Sequence, residues 1–437
     1  MLTIAYLANQ FPCPVEPYVG EEIMELRRRG VRVITGSVRR PPLHEDGEST
    51  GERLPEVVLQ SLGFSILVRA AWLCLRRWPK ISSLIRRVMF RGREGLVMRL
   101  KALLHTWLGA CYAVLLDGQQ VEHIHVHHGY FGSWIAMVAA RLLDVGYSMT
   151  LHGSDLLLHA AYLDAKLEHC AFCLTVSEYN KQYILEHYPH VNPEKVVVSR
   201  LGVEIADCID TSATSAKTQA EFTLLAVGRL HPVKDHAFLV RACAQFDTNS
   251  VNFKCLIAGD GPEKRRLELL IQQGGLEERI TLLGHVPRQQ MNSLYDRAHV
   301  VVLTSRSEGI PLVLMEAMAR GKVVLAPSIT GIPELVIAGK TGFLYEPGSL
   351  DDFVRQLLFI HSLIHTSGCN SFCPDGIHPK LLPAACQLDC VRQAARTQVR
   401  RNFNRKKNLE IFGNVFLSRI TSRSESLPHE NFILQQI

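Results

Sequence analysis

The chain has 437 residues, which at roughly 100–200 residues per domain suggests two or three domains. Hydrophobic residues make up 47% and charged residues 21%, so the composition excludes a mainly disordered chain. The formal net charge of +6 is too small to indicate nucleic acid as a partner. Twelve cysteines are too few for a disulfide scaffold, and neither a signal peptide nor a transmembrane segment is evident, so we expect a cytoplasmic protein.

Short apolar strands alternate with helical patterns along the first half of the chain. The predicted strands, in order, are residues 3–7, 31–34, 123–126, 148–151, 173–176 and 196–199, and predicted helices include 20–29 and 134–143. Such alternation is typical of a parallel sheet with crossover helices.

A second alternating series follows residues 207–220, a Ser-, Thr- and Ala-rich stretch that we interpret as a linker. Its predicted strands are residues 222–227, 253–258, 280–283, 300–304 and 323–326, with helices at 236–245, 263–273, 291–297 and 311–319. We therefore predict two doubly wound, Rossmann-like α/β domains, 1–205 and 206–390, facing a cleft. Residues 391–437 are predicted to form a helical segment that packs back on the amino-terminal domain.

The motif with the clearest chemistry follows the predicted strand 300–304. Glu308 precedes a helix that begins near Pro311, after a turn at Gly309, and Glu316 lies about one and a half turns inside that helix. Free amides at a helix start form a natural phosphate site, and carboxylates beside it suit sugar hydroxyls. The plain alternative is that Glu308 is a helix-start carboxylate favoured by the helix dipole and Glu316 a solvated surface residue.

Two cations lie on the loop after strand 222–227. Arg229 and Lys234 are five residues apart, at a position where ligands of open α/β sheets bind. A pair of cations there suits a diphosphate and the charge that develops on it as a leaving group. Two solvated loop cations are the alternative.

A third group lies in the first half, where His152, Gly153 and Asp155 follow strand 148–151. Asp155 is predicted either to orient His152 or to cap the next helix. Histidines at 123, 125, 127 and 128 crowd one strand end, which raises the possibility of a metal site. The sequence shows no cysteine or carboxylate nearby to complete a tetrahedral set, so we predict no metal site.

Taken together, these motifs resemble the family-4 type of retaining glycosyltransferases, which have the GT-B fold. The resemblance rests on the E-x7-E pair, on the G-R-x-x-x-x-K loop at 228–234, and on the segments 258–262, 283–286 and 339–344. It covers roughly residues 1–350, resumes at 394–417, and is strongest to the exopolysaccharide subgroup of the colanic-acid kind. Val15, Pro17 and Asp235 depart from the family pattern.

The resemblance implies roles for the donor-side residues. Glu316 is expected to bind ribose hydroxyls and Glu308 the donor sugar, while Arg229 and Lys234 neutralise the diphosphate. The backbone amides expected to face the phosphate or sugar are those of Gly309, Ile310 and Leu312. No cofactor or obligatory metal is implied, because the nucleotide sugar, of UDP or GDP type, is itself a substrate.

The resemblance also implies an acceptor side in the first half. His152 is expected to lie beside the reacting carbon, with His127, Gly129 and Asp155 around it. The predicted activity is transfer of a sugar to a saccharide or a polyprenyl-diphosphate-linked acceptor. A sugar-nucleotide epimerase of the same fold and a non-catalytic sugar-nucleotide-binding subunit are the alternatives.

Two further segments carry predictions of their own. Residues 69–101 contain ten basic residues and one acidic residue, Glu94, and apolar residues that include Trp72 and Trp78 alternate with the basic ones. Such a segment is typical of a peripheral membrane element, which we expect at the inner face of the cytoplasmic membrane. A helical hairpin packed on the sheet is the alternative, and no nucleic-acid motif is present. Near the carboxyl end, a segment that we interpret as an insertion, 361–383, contains the first of two C-x3-C pairs, which together suit either a zinc site or unliganded thiols. These four thiols belong to Cys369, Cys373, Cys386 and Cys390.

Overall fold

The computed structural model describes most of the chain in two compact units. The described residues are 1–13, 16–40, 55–60, 62–91, 94–158, 160–205, 221–249, 251–365 and 384–424. The first unit comprises residues 1–199 together with the chain from 409 onward, and the second comprises residues 200–408. The predicted linker, and Cys369 and Cys373 of the candidate zinc set, lie outside the described residues; the same holds for the side chain of Cys386, so the zinc hypothesis stays untested.

The first unit is a parallel sheet of seven strands with helices between them. Its strands are β1 (Thr3–Gln10), β2 (Arg32–Arg39), β3 (Val57–Val58), β4 (His123–His127), β5 (Gly146–Leu151), β6 (Phe172–Thr175) and β7 (Val196–Val198). Its helices are α1 (Pro17–Arg28), α2 (Phe64–Arg76), α3 (Trp78–Arg86), α4 (Leu96–Leu116), α5 (Phe131–Leu143), α6 (Ser154–Leu157), α7 (Leu163–His169) and α8 (Glu178–His187). The strand order is β3-β2-β1-β4-β5-β6-β7.

The order of the strands reverses between β1 and β4. The chain moves outward from β1 through β2 to β3, then returns to place β4 on the other side of β1 and moves outward again. The register pairs Ile4 with His123 and Tyr6 with His125. Loops that follow β1 and β4 therefore leave the sheet in opposite directions, and a crevice opens at the carboxyl ends of these two strands.

The second unit repeats this plan with six parallel strands. Its strands are β8 (Phe222–Val227), β9 (Phe253–Ala258), β10 (Ile280–Gly284), β11 (Val300–Val302), β12 (Val323–Pro327) and β13 (Phe343–Tyr345), in the order β10-β9-β8-β11-β12-β13. Its helices are α9 (His236–Asp247), α10 (Lys264–Gln273), α11 (Arg288–Arg297), α12 (Leu312–Ala319), α13 (Ile332–Leu335), α14 (Leu350–His365) and α15 (Ala384–Asn402). Here the order reverses between β8 and β11. The predicted fold class, two doubly wound parallel α/β domains, is confirmed.

Each sheet is covered by apolar residues on both faces, as parallel sheets require. In the second unit, one face packs Phe222, Phe246 and Phe253 with the inner side of α14, and the other packs Leu225 and Val301 against α12. The strands consequently read as continuous apolar runs, which is why their positions were predictable from the sequence.

The two carboxyl-terminal helices belong to different units, whereas the sequence predicted that residues 391–437 as a whole pack on the amino-terminal domain. Helix α15 belongs to the second unit, where Ala395 and Val399 are buried in one cluster with Leu314 and Met318 of α12. Only from Leu409, within α16 (Arg405–Ser424), does the chain join the first unit. The physical reason is that the buried side chains of α15 match the face of α12.

Helix α16 is fixed to the first unit by two buried phenylalanines. Phe416 is fully buried and contacts the rings of His125 and Phe172 with centroids 5.0 and 5.4 Å away. Phe412 lies beside it in the same cluster, with Ile4 and Leu174. This packing places an aromatic wall behind the histidines of β4.

We predict that Phe416→Ala lowers the free energy of unfolding of the full chain by about 3–5 kcal/mol, because a large buried side chain is replaced by a cavity. Ile411→Ala, on the same helix at a position that is 43% exposed, is the matched control and is expected to cost far less. Urea denaturation followed by circular dichroism checks both variants. Equal losses in the two variants would show that α16 does not stabilise the first unit through this face.

Candidate functional site

The donor-side residues predicted from the sequence converge on the reversal point of the second sheet. Arg229 and Lys234 lie on the loop after β8, and Glu308 lies on the loop after β11, the strand beside β8. The two loops are joined by backbone hydrogen bonding, since the Arg306 amide donates to the Val233 carbonyl at 2.8 Å. Sheet order therefore brings together residues that are more than seventy positions apart.

Lys234 and Glu308 form an ion pair at the centre of this group. Nζ of Lys234 lies 2.5 Å from Oε1 of Glu308, and both side chains are mostly buried. Their backbones are also held, because the hydroxyl of Thr304 donates to the Lys234 carbonyl and that of Thr330 to the Glu308 carbonyl. An ammonium and a carboxylate side by side offer one group for an anion and one for a hydroxyl.

Helix α12 supplies the second glutamate and a set of free amides. Helical structure begins at Leu312, one residue later than expected, with Pro311 as the N-cap. Among the described residues, the amides of Gly309, Ile310 and Leu312 have no acceptor, as expected for groups that precede the first helical hydrogen bond. Such amides, at the positive end of the helix dipole, suit a phosphate.

Glu316 projects from the second turn of α12 and is held by one neighbour. Its Oε2 accepts a hydrogen bond of 2.8 Å from the hydroxyl of Tyr295. Burial, and then the charge of Glu316, raise the pKa of Tyr295 well above its ordinary value, so the phenol keeps the proton that it donates. Within the described chain, Oε1 of Glu316 accepts no hydrogen bond and remains available to a ligand hydroxyl.

The loop that carries Arg229 is pressed against the loop after β9. The Gly228 amide donates to the Ala258 carbonyl and the Leu230 amide to the Asp260 carbonyl, at 3.0 and 2.9 Å. A Cβ added at Gly259 would lie 1.9 Å from the Gly228 carbonyl oxygen, so only glycine permits this approach. Arg229 itself is exposed and makes no ion pair with any described residue.

The acceptor-side residues predicted from the sequence also come together, at the reversal point of the first sheet. His127 ends β4, Gly129 follows it, and His152 and Asp155 follow the neighbouring strand β5. Nδ1 of His127 lies 2.9 Å from Nε2 of His152. Asp155 is fully buried and accepts hydrogen bonds from the amides of Gly129, His152 and Gly153 at 2.8–3.0 Å.

Asp155 also faces His128, which sequence analysis grouped only with a metal hypothesis. Nδ1 of His128 is 3.6 Å from Asp155, and its Nε2 is 3.1 Å from Glu16. Burial by itself lowers the pKa of His128, but these two carboxylates outweigh burial and raise it to about 10. Burial would raise the pKa of Asp155, and His128 together with the backbone amides holds it well below its usual range. His128 is thus a cation at neutral pH.

Lys166 is a buried cation that sequence analysis missed. Its Nζ donates to the carbonyls of Gly129, Tyr130 and Ala161 at 2.7–3.1 Å. Burial lowers its pKa to about 7, and Asp155 opposes that shift. The ammonium fixes the backbone turn after β4. A lysine inside an apolar helix face gives no sequence signal for this role, because its acceptors are carbonyls.

The histidines of β4 have a carboxylate neighbour that was not expected from the sequence. Glu22 of α1 lies 3.0 Å from Nε2 of His127, and Glu22, His125 and His127 each offer a ligand atom within 4.8 Å of the others. These three buried residues could hold a metal ion. The prediction of no metal site assumed that no carboxylate lies near the histidines, and that assumption is wrong. The nitrogens of His125 already lie 2.7 Å from the hydroxyl of Ser148 and 3.1 Å from that of Thr150, however, which favours a hydrogen-bonded network over coordination.

Two family models match consecutive parts of the chain. The model described as Glycosyltransferase Family 4 matches residues 15–207, and the model described as Glycosyl transferases group 1 matches residues 210–363. These stretches contain all the donor-side and acceptor-side candidate residues described above.

Named relatives include two proteins of bacterial polysaccharide synthesis. The colanic acid biosynthesis glycosyltransferase WcaL of Salmonella typhimurium is 39% identical over 179 residues, 40% of this chain and 44% of that protein. The amylovoran biosynthesis glycosyltransferase AmsK of Erwinia amylovora is 31% identical over 171 residues, 38% of this chain and 42% of that protein. The chain thus matches less than half the length of either relative.

Solved structures resemble the chain over nearly its whole length. A glycosyltransferase from Rickettsia africae has a TM-score of 0.63 at 18% identity, over 96% of this chain and 99% of its own. HepE from Anabaena, in complex with UDP and glucose, has a TM-score of 0.64 at 18% identity, over 96% of this chain and 100% of its own. At this identity the likeness shows the fold, which is GT-B. On this fold, the chain thus carries a stretch matched by the Glycosyltransferase Family 4 model followed by one matched by the Glycosyl transferases group 1 model.

Proposed function

We propose that the chain is a retaining glycosyltransferase that moves a sugar from a UDP- or GDP-sugar to a saccharide or polyprenyl-diphosphate-linked acceptor in exopolysaccharide synthesis. The observation that carries the proposal is the Lys234–Glu308 pair at the reversal point of the second sheet, beside the free amides of α12. The names of WcaL and AmsK support an exopolysaccharide product, and the HepE complex supports a nucleotide-sugar donor.

In this proposal the second unit holds the donor. Arg229 and Lys234 neutralise the diphosphate, and their effect grows as negative charge develops on the leaving group. The amides of Gly309, Ile310 and Leu312 add hydrogen bonds to the phosphate or sugar. Glu308 takes the hydroxyls of the donor sugar, and the unpartnered Oε1 of Glu316 takes those of the ribose.

The first unit serves the acceptor. His152 lies by the reacting carbon, and Asp155 fixes its backbone through the amides of His152 and Gly153. His127 supports the ring of His152, and Gly129, held between Asp155 and Lys166, shapes the adjacent turn. No cofactor takes part in this scheme, because two loop cations and a helix start supply the charge that a divalent ion would supply.

A lipid-linked acceptor suits an apolar patch on the first unit. Helix α2 exposes a stripe at intervals of three and four residues, and α4, which packs against α2, exposes another. We define the apolar patch as these two stripes together with Phe90, which follows α3. Its residues are Phe64, Val68, Trp72, Leu75, Phe90, Leu96, Val97, Leu100 and Leu104. No described helix is long and apolar enough to cross a membrane. Exposed apolar faces of this kind suit the interfacial zone of a bilayer.

The basic residues of segment 69–101 contribute less than their number suggests. Arg69 pairs with Asp117, Arg77 and Lys80 with Asp144, and Arg87 with Asp164. Arg99 donates to the backbone carbonyls of Met89 and Glu94. Arg76 and Arg86 remain exposed without an ion pair to any described residue. We therefore propose peripheral attachment at the inner face of the cytoplasmic membrane mainly through the apolar patch, with these two arginines on anionic headgroups.

The first prediction of this proposal concerns turnover. Arg229→Ala and Lys234→Ala should each lower kcat by roughly 10²–10³, since each removes a group that stabilises charge in the transition state. Glu316→Ala should instead weaken donor binding, because ribose contacts exist before and during reaction. Arg241→Ala, an exposed cation on α9, is the control.

The assay measures sugar transfer from UDP- and GDP-sugars with and without a saccharide acceptor, and the anomeric configuration of the product by NMR. Wild-type turnover in the Arg229→Ala/Lys234→Ala variant would overturn the donor assignment. A product formed without any acceptor would indicate an epimerase, and binding without turnover would indicate a non-catalytic subunit.

The second prediction is that transfer does not need a divalent metal. Activity should survive EDTA, and added Mg²⁺ or Mn²⁺ should not raise it. Metal content is measured on the same sample by mass spectrometry, because Glu22, His125 and His127 form a possible ligand set. Loss of activity with the chelator, restored by a divalent ion, would contradict the charge assignment to Arg229, Lys234 and α12.

The third prediction concerns the membrane. The chain should co-sediment with vesicles of phosphatidylglycerol and phosphatidylcholine, and Trp72→Ser/Phe90→Ser should abolish pelleting because the apolar patch loses two of its three exposed aromatic rings. Arg76→Glu/Arg86→Glu should weaken pelleting and its salt dependence, at about 1 kcal/mol per charge. Phe359→Ser, at a 48% exposed ring on the second unit, is the matched control. Equal pelleting of the Trp72→Ser/Phe90→Ser variant and the wild type would show that the patch is not the anchor.

A further inference from the structure

Glu316, the carboxylate assigned to the ribose, has two neighbours that could each hold it. The hydroxyl of Tyr295, on α11, donates a hydrogen bond of 2.8 Å to Oε2 of Glu316. Arg320, at the C-cap of α12, follows Glu316 by four residues, which is the spacing at which glutamate and arginine pair along a helix. The choice between these partners decides whether a carboxylate oxygen is left for a ligand.

The guanidinium of Arg320 turns to α11 instead of to Glu316. Its Nη2 donates to Oδ1 of Asn292, and its central carbon lies 5.7 Å from the centre of the Tyr295 ring. A further contact, with Asp296, is long at 3.9 Å. Between the described positions of Glu316 and Arg320 there is no ion pair, so the partner expected from helix spacing is engaged elsewhere.

Packing fixes the ring of Tyr295. The residue is 2% exposed and belongs to the apolar cluster that also contains Leu225, Leu256 and Val301 of the central strands. Because the ring is held by the sheet on the inside and covered by Arg320, its hydroxyl is held against Glu316. The position of Oε2 is thereby fixed relative to the second sheet.

A carboxylate fixed in this way is prepared for a ligand hydroxyl. Ordering a glutamate side chain at the moment of binding costs affinity, and the hydrogen bond from Tyr295 orders Glu316 beforehand. In the described part of the chain Oε1 accepts no hydrogen bond, so its lone pairs are available. A carboxylate oxygen accepts hydroxyl hydrogens and repels phosphate oxygens, which suits a ribose hydroxyl and not the diphosphate.

We infer that Tyr295 is a positioning residue that sets how strongly the second unit distinguishes a ribonucleotide from its deoxy analogue. Tyr295 does not contact the nucleotide. It holds Glu316 so that Oε1 accepts from one ribose hydroxyl, while Arg320 is kept from pairing with that oxygen. The inference rests on the proposed function for the contact between Glu316 and ribose, and it adds a residue of α11 that lies outside the donor motifs.

The test compares nucleotide affinities by isothermal titration calorimetry of the full chain. UDP and GDP are titrated first, and the tighter binder is then compared with its 2′-deoxy and 3′-deoxy analogues. Removal of the hydroxyl that Glu316 accepts should weaken binding to the wild type roughly 10-fold. Tyr295→Phe should weaken the ribonucleotide by roughly 3–10-fold and leave the affinity for that deoxy analogue within about twofold, because the two changes remove the same contact.

Two control variants separate positioning from a general loss of structure. Tyr345→Phe is the matched control, since Tyr345 is a buried tyrosine of the same unit whose hydroxyl donates to the Leu303 carbonyl at 3.2 Å. It should change the affinities for ribonucleotide and deoxynucleotide by the same factor. Arg320→Met retains an apolar stem beside the Tyr295 ring without the charge, and it should leave ribose discrimination within about twofold of the wild type.

Steady-state kinetics give an independent readout. Tyr295→Phe should raise the donor KM by the factor by which it weakens ribonucleotide binding, with kcat unchanged, because a ribose contact exists before and during reaction. A fall in kcat at unchanged donor KM would contradict a positioning role toward ribose.

The possible failures are distinguishable. Equal weakening of ribonucleotide and both deoxy analogues by Tyr295→Phe would give Tyr295 a purely structural role and overturn the inference alone. A loss of discrimination in Arg320→Met as large as that in Tyr295→Phe would also overturn it, because Arg320 would then be the partner that positions Glu316. If neither UDP nor GDP binds the wild type, the proposed function fails and this inference fails with it.

Discussion

The reversal of strand order at the centre of each sheet is the constraint on which the candidate sites depend. In a parallel sheet the loops that follow the strands all lie at the carboxyl edge, and only where the order reverses do two neighbouring loops leave in opposite directions. The reversal lies between β1 and β4 in the first unit and between β8 and β11 in the second. The candidate residues of both units gather at these two reversal points.

The charged groups at the two reversal points are arranged differently. The second unit holds one close pair, Lys234 and Glu308, on loops whose backbones are hydrogen-bonded to each other. The first unit surrounds its histidines with three carboxylates, so that His128 is a cation while His125 and His152 have pKa values lowered by burial. Neighbouring imidazoles thus differ in charge because their partners differ, which gives each a distinct hydrogen-bonding capacity.

Much of this arrangement follows from sequence pattern, for physical reasons that particular residues make clear. The strands of both sheets are buried on two faces, so apolar runs such as Phe222–Val227 locate them, and the residues just beyond them are the site candidates. The partners of those candidates were not predictable. The sequence around Glu22 does not distinguish it from any other glutamate of a helix. Lys166 binds backbone carbonyls, which every residue has. The position of α15 depends on its packing against α12, which the sequence of α15 alone does not indicate. The ion pairs of Arg69, Arg77 and Arg87 likewise depend on acids far away in the chain, so counting charges overstated the basic surface.

The most direct test of the central claim is hydrogen–deuterium exchange of the full chain with and without UDP or GDP. Nucleotide binding should slow exchange in the loops 228–234 and 305–313, including the amides of Gly309, Ile310 and Leu312, with no comparable change in α10. Saturating nucleotide that leaves these amides unchanged, or that protects only segments away from the β8 and β11 loops, would contradict it.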